Sequence, residues 1–337
     1  MAAQKAVRTD TSATGTGAAC APTPRAEDTR RGEKAECGTR LGIVVDSTAM
    51  LTRAEAATLD VTLVSNRYVL DGQEVDETFM DANGDYDEPL RTGRISDSRA
   101  ASADAFRAAF EPLIAQGRNV LCVTLSSRLG STYRNACKAA DQVQPSLAQR
   151  GAGTDGSQTG AHVAVLDSLG GFAGIEYLVR RARELEAAGK GFEQIVDDLV
   201  SARERQGVCF SVLTTEPLRS AGRLSMLPQS VTTLLNRLPV LTIRDGAIAC
   251  AAVARGTDVA AHEMVAQVPD GARDLTLAHY GARGPLVVEL LKAARAAFPQ
   301  ARIRVKDGGP VLSCNLGAGA ASISWAPTDG PKDAPAA

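Results

Sequence analysis

Three short apolar stretches of the chain end in the same way, with hydroxyl or carboxyl side chains. Each is largely β-branched and is followed by sequence of helical character. The stretches and their polar ends are Gly42-Ile43-Val44-Val45 before Asp46-Ser47-Thr48, Val120-Leu121-Cys122-Val123-Thr124-Leu125 before Ser126-Ser127, and Val163-Ala164-Val165-Leu166 before Asp167-Ser168. Buried parallel strands have this pattern, and their carboxyl ends line the ligand crevice of open α/β sheets. The pattern therefore predicts a hydroxyl-lined crevice that holds an anion or a carboxylate by hydrogen bonds.

Helical patterns alternate with these strands in the first half of the chain. The clearest covers about 103–116, with Phe106 and Phe110 on its apolar face and Ser102 at its N-cap. The order strand, helix, strand, helix, strand predicts a parallel sheet with right-handed crossovers. Residues 75–93 show neither pattern clearly, and we interpret them as irregular or helical.

The second half of the chain predicts a mixed sheet. Two amphipathic helices, over about 172–188 and 193–205, are followed by a strand at 208–213 and by a hairpin around Arg244-Asp245-Gly246. Further strands at 275–278, 302–305 and 321–325 alternate with helices near 257–267 and 285–297. We therefore predict two α/β domains with a ligand cleft between them. The predicted division is a disordered tail over 1–40, an N-terminal domain over 41–170, a C-terminal domain over 171–326 and a second disordered tail over 327–337.

Composition narrows the class of protein. The formal net charge of the 337 residues is −2, which leaves no basic footprint for nucleic acid. No apolar run is long enough for a transmembrane helix. None of the seven cysteines forms a C-x-x-C pair, so we expect free thiols and a cytoplasmic protein. The three histidines are isolated, and no zinc spacing is present.

The usual catalytic motifs are absent from the sequence. There is no P-loop, no nucleophile elbow and no cluster of carboxylates with metal spacing. A G-x-G-x-x-G match over 151–156 precedes a strand instead of following one, so we interpret it as a flexible loop. The sequence thus predicts a binding protein without metal or cofactor, or a subunit whose catalytic machinery lies elsewhere.

The strand ends and the segments after them contain a series of short motifs in sequence order over residues 42–325. These motifs are Ile43-Val44-Val45-Asp46-Ser47-Thr48-Ala49, Leu125-Ser126-Ser127-Arg128-Leu129-Gly130-Ser131-Thr132-Tyr133, Val165-Leu166-Asp167-Ser168, Leu218-Arg219-Ser220-Ala221-Gly222-Arg223-Leu224-Ser225, Leu235-Asn236 through Pro239, Asp245-Gly246, Arg255-Gly256 and Gly309-Pro310-Val311. Together they resemble the DegV family, which includes the fatty-acid-binding subunits of bacterial fatty acid kinases.

The resemblance implies that a long-chain fatty acid lies between the two domains. Hydroxyls and backbone N–H groups would hold its carboxylate, and a separate kinase subunit would phosphorylate it to an acyl phosphate. Carried over to this sequence, the expected carboxylate contacts are Ser98, Ser126, Ser127 and Asn315. The expected contacts to phosphate or to the partner are Arg223 and Arg255. The chain itself is then not an enzyme, and its ligand is the fatty acid.

Two segments depart from the family pattern. The family's T-S-Q-P-S-P-x-x-F aligns with residues 98–106, where Ser98 keeps a hydroxyl while Arg99 and Ala100 replace the following Ser and Gln. The family's H-T-G-P-G aligns with residues 315–319, so Asn315 stands in place of the histidine. Asparagine forms hydrogen bonds but carries neither a proton nor a charge at neutral pH. Lipid binding tolerates this change more easily than phosphoryl transfer does.

Simpler interpretations stay open for the same residues. The serines at the strand ends are also common helix N-caps, and arginines such as Arg223 and Arg255 are usually solvated surface charges. The functional alternatives are a protein that presents a fatty acid to a kinase, and a lipid carrier or sensor of the same fold without phosphoryl transfer. A stand-alone hydrolase or transferase that uses Ser126 is a third alternative.

Overall fold

The computed structural model describes residues 40–150, 161–223 and 237–326, with side chains omitted for 144–150. The predicted tails therefore lie outside the described residues, apart from residue 40, and so does the glycine-rich loop at 151–156. The strands are β1 (Gly42–Asp46), β2 (Val61–Val64), β3 (Arg67–Leu70), β4 (Gln73–Asp76), β5 (Ile95–Arg99), β6 (Val120–Thr124), β7 (Val163–Asp167), β8 (Gly207–Ser211), β9 (Leu238–Arg244), β10 (Ala247–Ala254), β11 (Asp274–His279), β12 (Arg302–Asp307) and β13 (Ala321–Trp325). The helices are α1 (Arg53–Leu59), α2 (Asp87–Arg91), α3 (Ala103–Ala115), α4 (Thr132–Arg150), α5 (Ala173–Ala187), α6 (Phe192–Ala202), α7 (Glu216–Ser220), α8 (Thr257–Val265), α9 (Pro285–Ala297) and α10 (Gly309–Leu316).

The first half contains the predicted parallel sheet, with strand order β2-β1-β6-β7. Alternate residues of β1 face opposite sides, as the pleat of a strand requires. Ile43 and Val45 join the core under α1, α5 and α6, whereas Val44 joins the core under α3 and α4. Both faces of the sheet are thus covered by helices, which explains why its strands are continuously apolar. The predicted N-cap is also confirmed, because the Ser102 hydroxyl accepts a hydrogen bond from the N–H of Ala105 at 3.2 Å.

The second half contains the predicted mixed sheet, with strand order β10-β9-β8-β13-β11-β12. The predicted hairpin is confirmed as β9 and β10, which pair antiparallel around Asp245 and Gly246. One face of this sheet packs on α8 and α9. The other face turns toward α5 and α10, through residues that include Phe210 and Leu241. The fold is therefore a mixed α/β architecture with two α/β domains.

Helix α5 contacts the cores of both halves. Ile175 and Leu178 pack with the parallel sheet, whereas Ala173 and Tyr177 pack with the mixed sheet. The boundary between 170 and 171 stays a prediction, and it falls just before the helix that joins the two cores.

A buried ion network reinforces this junction. The fully buried Glu176 of α5 accepts hydrogen bonds from Lys306 at 2.6 Å and from Arg304 at 2.5 Å, both on β12. Lys306 also donates to Glu55 of α1 at 2.7 Å. Four charged groups from three elements are thereby paired with one another. Their mutual attraction offsets the desolvation free energy that burying unpaired charges would cost.

The expectation for residues 75–93 is partly wrong. Residues 73–76 form β4, which pairs with β3, and β5 pairs with the other side of β3 to give a small antiparallel sheet of order β4-β3-β5. The side chains of β4 are mostly exposed, so its sequence lacks the apolar alternation that identifies a half-buried strand. The short helix α2 lies within the remainder of the segment.

Candidate functional site

A cavity of about 250 Å³ lies between the two sheets. Elements of both halves form its wall, together with β5 of the small sheet and helix α10. Its lining residues are Thr48, Asn66, Ser98, Arg99, Ala100, Leu125, Leu129, Gly130, Ser131, Thr132, Phe172, Phe210, Leu218, Arg223, Ile243, Ile248, Val311, Leu312, Asn315 and Leu316. The described lining thus divides into an apolar set and a polar set that contains two arginines and no carboxylate.

The apolar wall comes mainly from the second half. Phe172 stacks on Phe210 with ring centroids 5.8 Å apart, and Ile243 and Ile248 come from the two sides of the β9–β10 hairpin. Leu312 and Leu316 lie one turn apart on α10. Aliphatic and aromatic side chains of this kind line cavities that take an apolar ligand. Eleven of the twenty lining residues are apolar and eight are polar, which predicts a ligand with an apolar part and a polar end.

Two of the predicted site residues meet in the polar part of the wall. The Asn315 side-chain N–H groups donate to the Ser98 hydroxyl at 2.9 Å and to the Val311 carbonyl at 2.7 Å. Both amide N–H groups of Asn315 are therefore used, and only its oxygen is left as an acceptor. Because the Ser98 oxygen accepts from Asn315, its own O–H is left to donate into the cavity.

The beginning of helix α4 supplies further donors beside this pair. Gly130, Ser131 and Thr132 all line the cavity. The Asn135 N–H donates to the Ser131 carbonyl in the first helical hydrogen bond, so the N–H groups just before it have no partner within the helix. Free N–H groups and the positive end of the helix dipole favour an anion at this point.

A buried hydrogen-bond network fixes the polar wall in place. Asp46 lies at the end of β1 and accepts from the Asn66 side chain at 2.9 Å, from the Leu125 N–H at 2.7 Å and from the Thr48 hydroxyl at 2.5 Å. Burial raises the pKa of Asp46, against the opposing effect of these hydrogen bonds. The Asn66 oxygen accepts in turn from the Thr132 hydroxyl at 3.2 Å. The network ties the ends of β1 and β6 to the start of α4.

The predicted contacts Ser126 and Ser127 lie outside the cavity wall. The Ser126 hydroxyl is buried and donates to the Gly246 carbonyl at 2.8 Å. The Ser127 N–H faces the Asp167 carboxylate at 3.3 Å, and its side chain is exposed. A carboxylate contact of Ser126 or Ser127 stays a prediction. Ser131 and Thr132, a few residues further along, line the cavity instead.

The two predicted arginines lie in different places. Arg223 lines the cavity, and burial lowers the pKa of its guanidinium. Arg255 is exposed and directly follows β10, whose other end carries the cavity residue Ile248. At about 3.3 Å per residue, Arg255 lies roughly 20 Å along the strand from Ile248. A contact of Arg255 with phosphate or a partner stays a prediction, and it would be made away from the cavity.

Several lining residues were not identified from the sequence. Asn66 and Arg99 carry polar groups at the cavity, but each lies in a segment without an individual signal. Thr48 also lines the cavity, and it belongs to one of the polar strand ends expected to do so. Ser131 and Thr132 carried the usual signal of a helix start, a hydroxyl residue before an amphipathic stretch. Among the described residues no group of histidine, cysteine, aspartate or glutamate side chains could hold a metal ion. None of the helices in the described ranges is long and apolar enough to cross a bilayer.

Comparison with protein-family sequence models gives a match over residues 40–328 to the family described as "Uncharacterised protein, DegV family". The chain belongs to the DegV family. A DegV domain-containing protein of Deinococcus radiodurans is 26% identical over 300 residues, which cover 85% of this chain and 98% of the relative. One from Clostridium acetobutylicum is 24% identical over 238 residues, or 68% of this chain and 78% of the relative.

Solved DegV structures share the fold. A fatty-acid-binding DegV protein from Streptococcus agalactiae superposes with a TM-score of 0.73 at 20% identity, covering 86% of this chain and 99% of that one. A DegV protein from Thermus thermophilus, described by its fatty acid binding, gives 0.71 at 23% identity and covers 86% and 100%. A stearic acid-binding protein from Eubacterium ventriosum gives 0.70 at 18% identity and covers 86% and 98%. The resemblance found in the sequence motifs is thereby confirmed at the level of family and fold.

Proposed function

We propose that this DegV protein binds a long-chain fatty acid in the cavity between its sheets. The carboxylate would lie against the Ser98 hydroxyl and the start of α4, and the alkyl chain would run along the wall that contains Phe210 and Leu312. The observation that carries the proposal is the division of the described cavity lining into an apolar wall and a polar group that contains no carboxylate. Structural neighbours described as fatty acid binding support it.

Burial of the alkyl chain provides most of the affinity. A C16 chain places about fifteen methylenes in the apolar wall at ~0.8 kcal/mol each, or ~12 kcal/mol before association costs. Ordering the ligand and losing its translational freedom remove several kcal/mol of this. The donors at the polar end therefore set the direction of the ligand more than the strength of its binding.

The first test is chemical analysis of the purified full-length chain. The protein is produced in a bacterial host and denatured, and the released small molecules are examined by mass spectrometry. We expect long-chain fatty acid in stoichiometric amount. A protein that is empty and that also fails to bind added hexadecanoate after delipidation would contradict the proposal.

A substitution at the polar end tests the orientation of the ligand. Ser98→Ala removes a hydroxyl whose proton faces the cavity, and we expect hexadecanoate affinity to fall about fivefold, the value of one hydrogen bond. Ser201→Ala is the matched control, since Ser201 is an exposed residue of α6 outside the cavity lining. Equal affinities of the two variants, measured by isothermal titration calorimetry, would place the carboxylate elsewhere.

What happens to the bound acid is a finer question, and Asn315 favours a carrier or sensor. The Asn315 amide has no titratable proton and uses both of its N–H groups within the protein. The alternative is presentation of the acid to a kinase subunit, with Arg223 facing the phosphate. An acyl-phosphate assay with a fatty acid kinase catalytic subunit separates the two: turnover that is lost in Arg223→Ala would support presentation and exclude the pure carrier.

A further inference from the structure

The polar end of the cavity contains a cation that neither the network around Asp46 nor the Ser98–Asn315 pair uses. Arg99 is the last residue of β5 and lines the cavity directly after Ser98. Its side chain is 49% exposed, so it lies at the opening rather than in the interior. The family motif has serine at this position, whereas this chain has arginine.

The contacts of Arg99 leave part of its guanidinium facing outward. One terminal nitrogen, Nη1, pairs with the Asp97 carboxylate and lies 3.3 Å from the Ser98 carbonyl. The Nε atom is 3.9 Å from Glu74, which is itself paired with Arg67 at 2.5 Å. The second terminal nitrogen, Nη2, has no hydrogen-bond partner among the described residues. The ion pairs thus hold the side chain in place while one edge of the planar group stays available to a ligand.

The neighbouring Asn315 gives such a cation a role toward an anionic head group. With both N–H groups donated, Asn315 presents its amide oxygen, and an oxygen acceptor repels a carboxylate. The Ser98 hydroxyl offers a single donor. A guanidinium at the same opening supplies paired donors and a permanent positive charge, both of which suit a carboxylate.

We propose that Arg99 determines the head-group specificity of the cavity, so that ligands with an anionic head are preferred to neutral ligands of equal chain length. The inference rests on the proposed function, because it assumes that an alkyl chain occupies the apolar wall. It deepens that function by assigning selectivity for the carboxylate to a residue that departs from the motif.

The test compares dodecanoate with 1-dodecanol, which have the same chain and differ in the charge of the head. Each is titrated calorimetrically into the delipidated full-length chain. We expect the wild type to prefer dodecanoate, and Arg99→Ala to weaken dodecanoate about fivefold, a discounted value for a half-exposed charge. Dodecanol affinity should not change, which also shows that the variant is folded. Added salt should reduce only the binding of dodecanoate.

Two further variants make the comparison specific. Arg94→Ala is the matched control, because Arg94 directly precedes β5, is 48% exposed and is paired with Asp71, yet does not line the cavity. Arg99→Lys keeps the charge and should retain most of the preference. An Arg99→Ala protein that keeps the wild-type ratio of the two affinities, whether both are unchanged or both fall equally, would overturn the inference. The proposal of fatty acid binding would still stand. A wild-type protein that binds neither ligand would instead refute the proposed function.

Discussion

Glu77 lies just after β4 and is fully buried, and it connects the parallel sheet to the helix that carries Asn315. Its carboxyl accepts from the Ser47 hydroxyl at 2.5 Å and from the Val311 N–H of α10 at 2.8 Å. Burial raises its pKa to about 8, against the opposing effect of these two hydrogen bonds. The carboxyl is therefore largely protonated at neutral pH in the folded protein, whereas in the unfolded chain it is ionised.

This difference makes the free energy of unfolding depend on pH. Below the ordinary pKa of 4.5 both states bind the proton, and Glu77 contributes no slope. Between 4.5 and about 8 the unfolded chain releases the proton and the folded protein keeps it, so stability falls as pH rises. At 1.36 kcal/mol per pH unit, the total loss is roughly 5 kcal/mol. Glu77→Gln places a neutral group of the same shape there, and the loss should disappear.

The measurement is urea unfolding of wild type and variant, followed by circular dichroism, at a series of pH values from about 4.5 to about 8.5. We expect the stability of Glu77→Gln relative to wild type to increase steadily with pH over this range. Taking the difference removes the contributions of all other titrating groups. Gln73→Ala, at an exposed residue of β4 that does not titrate, is the control and should give a flat difference. Parallel curves for Glu77→Gln and wild type would refute the conclusion that the buried carboxyl is protonated.

Two other perturbations test the junction and the core. Burial alone would raise the pKa of Glu176, but the attraction of Lys306, followed by that of Arg304, outweighs burial and lowers this pKa to about 2. The ionised Glu176 therefore stabilises the folded protein fully above pH 4.5, and this stabilisation is lost as pH falls toward 2. Glu176→Gln should reduce the stability at pH 7 by about 3 kcal/mol and remove that acid-side slope; a variant that keeps the slope would contradict this. Gly207→Ala would place a methyl group 2.0 Å from the Trp325 ring and should destabilise the protein by about 1–3 kcal/mol. The fluorescence of Trp325 during urea unfolding measures the effect. Gly271→Ala is the control, because a Cβ at Gly271 has no neighbour within 4 Å. Equal unfolding midpoints for the two variants would show that the Trp325 ring moves aside at no cost.

The parts of the fold that were predicted correctly are those that leave a local signal in the sequence. Continuous apolar runs gave the parallel strands, and the Arg244-Asp245-Gly246 turn gave the hairpin. The segment 75–93 failed in part because β4 is exposed along most of its length. Helix α10 was not predicted either, since its residues from Gly309 to Ser313 are all buried and show no amphipathic stripe. Its position nevertheless decides the site, because it brings Asn315 to Ser98.

The candidate site could be predicted only in part from the sequence, because its residues come from segments that are far apart along the chain. A strand end predicts that a polar group is present, but it does not predict which other part of the chain arrives there. Ser98 and Asn315 could be proposed together only through the family resemblance, since 216 positions lie between them along the chain. Arg99 lacked even that support, because the motif has serine at its position. Specific contacts of this kind follow from tertiary structure and leave no local pattern.

Ser126 connects the end of strand β6 to the hairpin that lines the cavity. The Ser126 hydroxyl donates to the Gly246 carbonyl, and the Arg128 guanidinium donates to the Asp245 carbonyl at 3.1 Å. Gly246 has a φ of +80°, and a Cβ at this position would lie 2.5 Å from the Ser126 hydroxyl oxygen, so only glycine permits the approach. These contacts hold the hairpin turn against the end of β6. Because Ile243 and Ile248 flank that turn and line the cavity, the Ser126 hydroxyl positions part of the apolar wall.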